Sequence, residues 1–174
     1  MKKSLDTIKE LRALTSASIA DCKKALEESE HDIKKAVVFL RKRGLEIAAK
    51  KQARAAREGR IEAYIHLGSK IGVLVEVDCE TDFVAKNSDF TQFTKDLAMQ
   101  IAACDPAYLK SEDIPQEVLS QEKDKDKFCK EHVLLEQAFI KDPAITIKDY
   151  LGSMIVKLAE NIIVRRFMRY KVGE

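Results

Sequence analysis

The most constraining stretch of the chain lies between residues 71 and 101. Ile71-Gly72-Val73-Leu74-Val75-Glu76-Val77 is rich in β-branched residues and predicts a buried strand. Phe90, Phe93, Leu97 and Ile101 then recur at helical spacing, with Asn87 or Ser88 placed to cap the helix start. Between them sits the corner Cys79-Glu80-Thr81-Asp82-Phe83-Val84-Ala85-Lys86-Asn87, a tight strand-to-helix turn with two carboxylates and an aromatic ring. A phenylalanine there either folds back into its own core or is held outward as a wedge for a partner. Composition does not choose between the two.

The strand before the corner needs a partner, and the preceding residues supply one. Ile61-Glu62-Ala63-Tyr64-Ile65-His66-Leu67 alternates, with Ile61, Ala63, Ile65 and Leu67 on one face, and Gly68-Ser69-Lys70 predicts the hairpin turn. Downstream, the helix is expected to stop at Asp105-Pro106, since proline cannot continue the hydrogen-bond ladder. Ser111–Pro115 reads as a turn and Gln121–Lys130 as a solvated, charge-rich helix. Val133, Leu134, Leu135 and Phe139 form an apolar cluster. Thr146 and Asp149 make a capping box for a helix with Ile147, Leu151, Ile155 and Leu158 on one face. Asn161–Tyr170 closes the chain as a strand, with Arg165, Phe167 and Arg169 alternating against Val164, Arg166 and Met168. Strands and helices that do not alternate regularly predict an α+β core over residues 61–174, an antiparallel sheet with helices packed on one face.

Residues 1–45 read as a three-helix module. Leu5, Ile8 and Leu11 form the first stripe, with Ser4 as cap, and Thr15–Ser18 breaks it. Ile19, Cys22, Ala25 and Leu26 line the second helix; Asp32 caps the third, whose stripe is Ile33, Ala36, Val37 and Leu40, and Gly44 is placed to end it. Residues 46–60 then predict a basic, alanine-rich linker helix. From Arg41 to Arg60, eight Lys and Arg side chains face only Glu46 and Glu58, without the interleaved aromatics that stack bases. A solvated linker with an electrostatic role fits better than a phosphate-binding stripe, and nucleic acid is not the expected partner.

Several function classes are excluded on residue grounds. A net charge of +2 is too small for a chain that coats nucleic acid, and 34% charged residues indicate a well-solvated surface. Met1-Lys2-Lys3-Ser4 leads into no apolar run, so no secretory signal is expected, and no segment reaches the roughly 18 apolar residues of a bilayer span. Cys22, Cys79, Cys104 and Cys129 are scattered without a metal-like spacing, which predicts reduced, mostly buried thiols in a cytoplasmic protein, with an intermolecular bridge at Cys129 left open. His66 stands alone on its strand and reads as structural. Glu80 and Asp82 have no nucleophile, histidine or metal cluster beside them, and no phosphate-cradling glycine loop exists. No enzyme, no cofactor, no metal and no direct nucleotide binding is therefore expected.

The string TDFVAKN, preceded by IGVLVEVDCE, resembles the signature of the elongation factor Ts family. DCKKALEES, LLEQAFIKD and ENIIVRRFMRY extend the resemblance in the same order along the chain. It implies a guanine-nucleotide exchange factor for the translational GTPase EF-Tu, with an N-terminal module of ubiquitin-associated (UBA-like) fold. It implies that Thr81, Asp82, Phe83 and Val84 bear on the partner near its magnesium, with Asp82-Phe83 intruding, and that Arg12, Ile19 and Ala20 lie where the N-terminal module docks. Longer relatives contain two related core halves and this chain has room for one, so a homodimer is expected. Ser16 and Ser18 stand where the family often has glycine, Ala138 where it usually has proline, and the 110–130 region lacks a longer helical insertion. The competing reading is an RNA- or ribosome-binding module using the basic 41–60 stretch.

Overall fold

The computed structural model describes residues 2–15 and 17–174, with side chains from Leu5 onward. Helix α1 (Lys2–Thr15) already includes Ser4, which is therefore not its cap; the Ser4 side chain, like Ser16, lies outside the described residues. Ser18 caps α2 (Ile19–Glu28) by accepting from the Asp21 N–H at 3.1 Å, and Asp32 caps α3 (Ile33–Lys51) through the Lys35 N–H. Leu11, Ala17, Cys22, Ala25, Leu26, Ala36 and Leu40 close a small apolar core between these three helices.

Helix α3 does not stop at Gly44. It continues to Lys51, and residue 44 is buried where α3 crosses a later helix, α8 (Ile147–Leu158). A Cβ built on Gly44 would meet Val156 Cγ2 at 3.7 Å, and one on Gly152 would meet Leu45 Cδ2 at 3.3 Å. Two glycines facing each other allow the helix backbones to approach closely, a tertiary use of glycine that local helix-stop rules misread. Past Lys51 the chain turns and becomes extended, and strand β1 (Glu58–Ile65) starts three residues before Ile61, so residues 46–60 form the end of one helix, a turn and the start of a strand rather than a separate linker helix. Gly59, the second residue of that strand, has φ 149°, and a Cβ there would lie 2.3 Å from the Val77 carbonyl oxygen.

Strand β1 pairs antiparallel with β2 (Ile71–Cys79), and β2 pairs antiparallel with β5 (Ile163–Lys171), giving the order β1-β2-β5. Val73, Val75, Val77 and Cys79 point inward onto α5 (Ser88–Cys104), whose Phe90, Phe93, Leu97 and Ile101 are fully buried. Asn87 caps α5 and Asp105, at φ 47°, ends it just before Pro106. The capping box of α8 forms as expected, Thr146 and Asp149 each accepting the other's backbone N–H at 3.1 Å. Beneath α5 and α8, the Asp96 carboxylate is buried but satisfied by Gln92, Lys141 and the Tyr150 hydroxyl, and Tyr150 lies between Phe93 and Phe139.

Residues 111–146 hold the short helices α6 (Gln116–Gln121) and α7 (Lys125–His132), neither with a buried residue, and a second hairpin, β3 (Ala138–Phe139) with β4 (Asp142–Thr146). The Gln137 and Gln100 side chains are buried and bond to each other at 3.1 Å, fastening that hairpin to α5.

Strict alternation along β5 fails at Arg165. Glu76 pairs with Arg166 but Val77 pairs with Val164, so Arg165 is the extra residue of a β-bulge. The bulge lets Val164, Phe167 and Arg169 all turn to the inner side, while Arg165 reaches Asp78 at 2.7 Å. The opposite face of the sheet is apolar and uncovered. Ala63, Leu74 and Met168 form a cross-strand row, flanked by Ile61, Ile65, Leu67, Tyr170 and Val172, with a Glu76–Arg166 ion pair at one end. The apolar residues of β1 thus face solvent, and its inward side carries Tyr64 and Glu62, the latter held by Arg60 at 2.8 Å and Thr94 at 3.1 Å.

Candidate functional site

The corner contains one more helical turn than the sequence suggests. Strand β2 ends at Cys79, Thr81 caps the single turn α4 (Asp82–Ala85), and Asn87 opens α5 two residues later. Val84 and Ala85 pack against the main core and anchor the inner side of this turn. Phe83, on its outer side, is 81% exposed. An aromatic ring buries 150–250 Å² when covered, so leaving one in water on an ordered turn is costly unless something else covers it. The choice left open by composition is settled for the free chain: the ring points out.

Asp82 is held by Lys86, one turn on, at 2.7 Å, and that hydrogen bond keeps its carboxyl below the usual range. Thr81 caps with its hydroxyl, which accepts the Val84 N–H at 3.4 Å, and its carbonyl accepts from the Ala85 N–H and from the Cys79 thiol at 3.1 Å. Burial, with the nearby Glu160 charge second, pushes the Cys79 thiol up to about 11. It therefore stays protonated and serves as a donor at neutral pH.

The corner's base is tied to the other end of the chain. The Glu160 carboxylate accepts the Glu80 and Thr81 N–H groups, each at 3.0 Å, and the Thr81 hydroxyl at 2.6 Å. In return Glu80 accepts the Asn161 N–H at 2.6 Å, and the Asn161 amide donates to the Arg54 carbonyl at 2.8 Å. The Arg54 guanidinium lies 3.5 Å from Glu80. Sequence reasoning names Thr81, Asp82, Phe83 and Val84 but assigns no role to Glu160, Asn161 or Arg54. The motif ENIIVRRFMRY contains the first two, yet nothing local shows what they meet.

Arg12, Ile19 and Ala20 are all exposed, on α1 and at the start of α2. Among the described residues no hydrogen bond or ion pair joins them to the corner. The basic stretch 41–60 is largely engaged within the fold: Arg43 pairs with Asp21, Arg54 with Glu80 and Arg60 with Glu62, while Arg41 and Lys51 donate to the Ala144 and Ile155 carbonyls. Lys42, Lys50 and Arg57 are left exposed. Of the four thiols, none in a disulfide, Cys22 and Cys79 are buried and Cys104 and Cys129 half-buried. Among the described residues no group of three or more His, Cys, Asp or Glu side chains could hold a metal, and no helix is long and apolar enough to cross a membrane.

The family described as Elongation factor TS matches this chain over residues 2–127 and 124–174. The chain is 50% identical to elongation factor Ts of Caldanaerobacter subterraneus subsp. tengcongensis, covering 98% of this chain and 97% of that one. It is 50% identical to that of Carboxydothermus hydrogenoformans, over 96% and 88%, and 46% identical to that of Thermotoga neapolitana, over 100% and 99%. The first of these alignments spans 194 positions against a chain of 174 residues, so at least 20 positions (194 − 174) have no counterpart here. The two family matches meet at residues 124–127, within the region read as shortened. The class so defined is that of the translation elongation factors, which act in protein biosynthesis. The chain belongs to the elongation factor Ts family.

Proposed function

We propose that this chain is a guanine-nucleotide exchange factor for EF-Tu, and not an enzyme, acting by inserting Asp82 and Phe83 beside the partner's magnesium site. The observation that carries the reading is a single one: Phe83 is an uncovered aromatic ring on a turn whose base is hydrogen-bonded into place. An exchange factor works by binding more tightly to the partner when nucleotide is absent. That coupling is reciprocal, so GDP weakens the factor as much as the factor weakens GDP. Each tenfold of coupling requires about 1.4 kcal/mol of differential contact. Burying one phenylalanine side chain supplies roughly 1.5–3 kcal/mol, enough for about one or two factors of ten. Displacing groups around the partner's magnesium weakens its bridge to the GDP phosphates, so metal and nucleotide leave more readily.

In this reading Thr81 and Val84 hold the turn, and Asp82 exchanges its bond to Lys86 for donors on the partner. The exposed Arg12, Ile19 and Ala20 form the second contact, made by the N-terminal module on the partner's G domain. The uncovered sheet face is the seam of a cytoplasmic homodimer, since Leu74, Met168 and Tyr170 form an apolar surface that a second copy would bury. An RNA-binding role through residues 41–60 is less well supported, because five of its basic side chains are already bonded inside the fold.

The test is a pull-down of EF-Tu with and without excess GDP. The exchange reading expects capture that GDP suppresses; capture indifferent to GDP would indicate a passive adaptor and remove it.

A further inference from the structure

We infer that Glu160 is a positioning residue for exchange: its carboxylate sets the base of the 81–85 turn, and with it the direction in which Phe83 leaves the body. The inference rests on the wedge reading above and adds to it a residue outside the corner.

Phe83 has almost no packing of its own, so its direction is inherited from the backbone of α4. That backbone is constrained on the inner side by Val84 and Ala85, and at its start by whatever holds Glu80 and Thr81. Neither of those two N–H groups is bonded within a strand or helix; both donate to one carboxylate oxygen of Glu160, while the other oxygen takes the Thr81 hydroxyl. Charge-assisted bonds of this kind are stronger and more directional than neutral ones. The Thr81 hydroxyl, with its proton directed to Glu160, presents its lone pair to the Val84 N–H, so the cap and the clamp share one atom. Glu160 is itself delivered by a sharp turn. Helix α8 is capped at its C-terminus by Ala159 in the left-handed conformation, φ 58°, and Asn161, the residue after Glu160, is fully buried with its backbone N–H on Glu80. Residues 160 and 161 and residues 80 and 81 therefore hold each other reciprocally. A group that fixes geometry this way shows its effect where geometry matters most, in the exchange-competent complex.

The experiment follows release of fluorescent GDP from EF-Tu·GDP by stopped flow, over a range of factor concentrations. Parent, Phe83→Ala, Glu160→Ala, Glu160→Gln and the Phe83→Ala/Glu160→Ala double variant are compared. Glu160→Ala is expected to lower the maximal release rate about tenfold with the half-saturating concentration changed less than about threefold, because misplacement acts on the competent complex. Glu160→Gln keeps an acceptor for the two N–H groups and is expected within about threefold of the parent. The double variant is expected to lose clearly less than the product of the two single losses, since residues acting as a unit are not additive. Hydrogen exchange at the Glu80 and Thr81 amides should accelerate in Glu160→Ala while the β2 amides keep their protection.

A parent-like rate in Glu160→Ala beside a slow Phe83→Ala overturns the positioning role and leaves the wedge intact. Fully additive losses in the double variant also overturn it, since Glu160 would then act elsewhere. A parent-like Phe83→Ala overturns the wedge and this inference with it. If Glu160→Ala does not fold, Thr81→Val removes the hydroxyl shared by cap and clamp while leaving Glu160 in place; a slower maximal rate supports the inference and a parent-like rate overturns it.

Discussion

The Glu160 carboxylate accepts both the backbone N–H of Thr81, at 3.0 Å, and its hydroxyl, at 2.6 Å, joining residues 79 positions apart. This pairing turns an isolated helical turn, too short to be stable alone, into an ordered platform for an exposed ring. The surface ring and its internal support are separable by mutation.

Phe83→Ala removes a side chain that touches little in the free protein. Its unfolding free energy is expected to stay within about 0.5 kcal/mol of the parent in urea melts. Stimulated GDP release should fall about tenfold or more, as truncation of an interface hot spot costs about 2 kcal/mol or more. Wild-type release in stopped flow would remove the wedge.

Lys86→Met should let the Asp82 carboxyl titrate higher, since its hydrogen bond from Lys86 is the main cause of the depression. A carboxylate lowered in the fold contributes stability above the unfolded value of 3.8, and that contribution is lost as pH falls through the lowered folded value. Side-chain carboxyl NMR titration checks both points. An unchanged Asp82 midpoint in the variant would show that Lys86 is not the cause.

Cys79 makes the opposite case. With its thiol raised to about 11 in the fold, against 9.0 for the unperturbed group, the folded state binds the proton longer than the unfolded one. Stability should therefore decline as pH rises from about 9 to about 11. Alkylation of the folded chain at pH 8 followed by mass spectrometry should label Cys104 and Cys129 before Cys22 and Cys79. Early labelling of Cys79 would contradict its burial.

The helix crossing predicts asymmetric responses at its two glycines. Gly44→Ala meets Val156 at an ordinary contact distance and should stabilise by about 0.5–1 kcal/mol through helix propensity. Gly152→Leu must displace Leu45 and the α3 backbone, and should cost about 1–3 kcal/mol. Thermal melts of both variants check this; near-neutral behaviour of Gly152→Leu would show that the crossing is loose.

Met168→Glu, in the middle of the Ala63–Leu74–Met168 row, places a charge at the centre of the proposed dimer seam. Light scattering should report a dimer for the parent and a monomer for the variant. A monomeric parent at working concentration would reject the seam.

Local chemistry was enough to read much of this protein. The β-branched run 71–77, the helical spacing from Phe90 to Ile101, the caps at Asp32, Asn87 and Thr146 and the stop at Asp105-Pro106 all depend on neighbours within a few residues, and all stand in the fold. The family, too, was legible, because its motifs are contiguous strings. What residue spacing could not reveal was anything set by distant partners. Gly44 lies inside a helix because Gly152 faces it; Arg165 breaks the alternation of β5 because a bulge forms against Val77; the apolar side of β1 faces out because Val73 and Val75 fix the inward face of the sheet. Likewise Phe83 could have turned either way on composition alone. Its direction follows from core contacts at Val84 and Ala85 and from a carboxylate at Glu160, and close packing between residues so far apart in the chain exists only once the whole tertiary structure has formed.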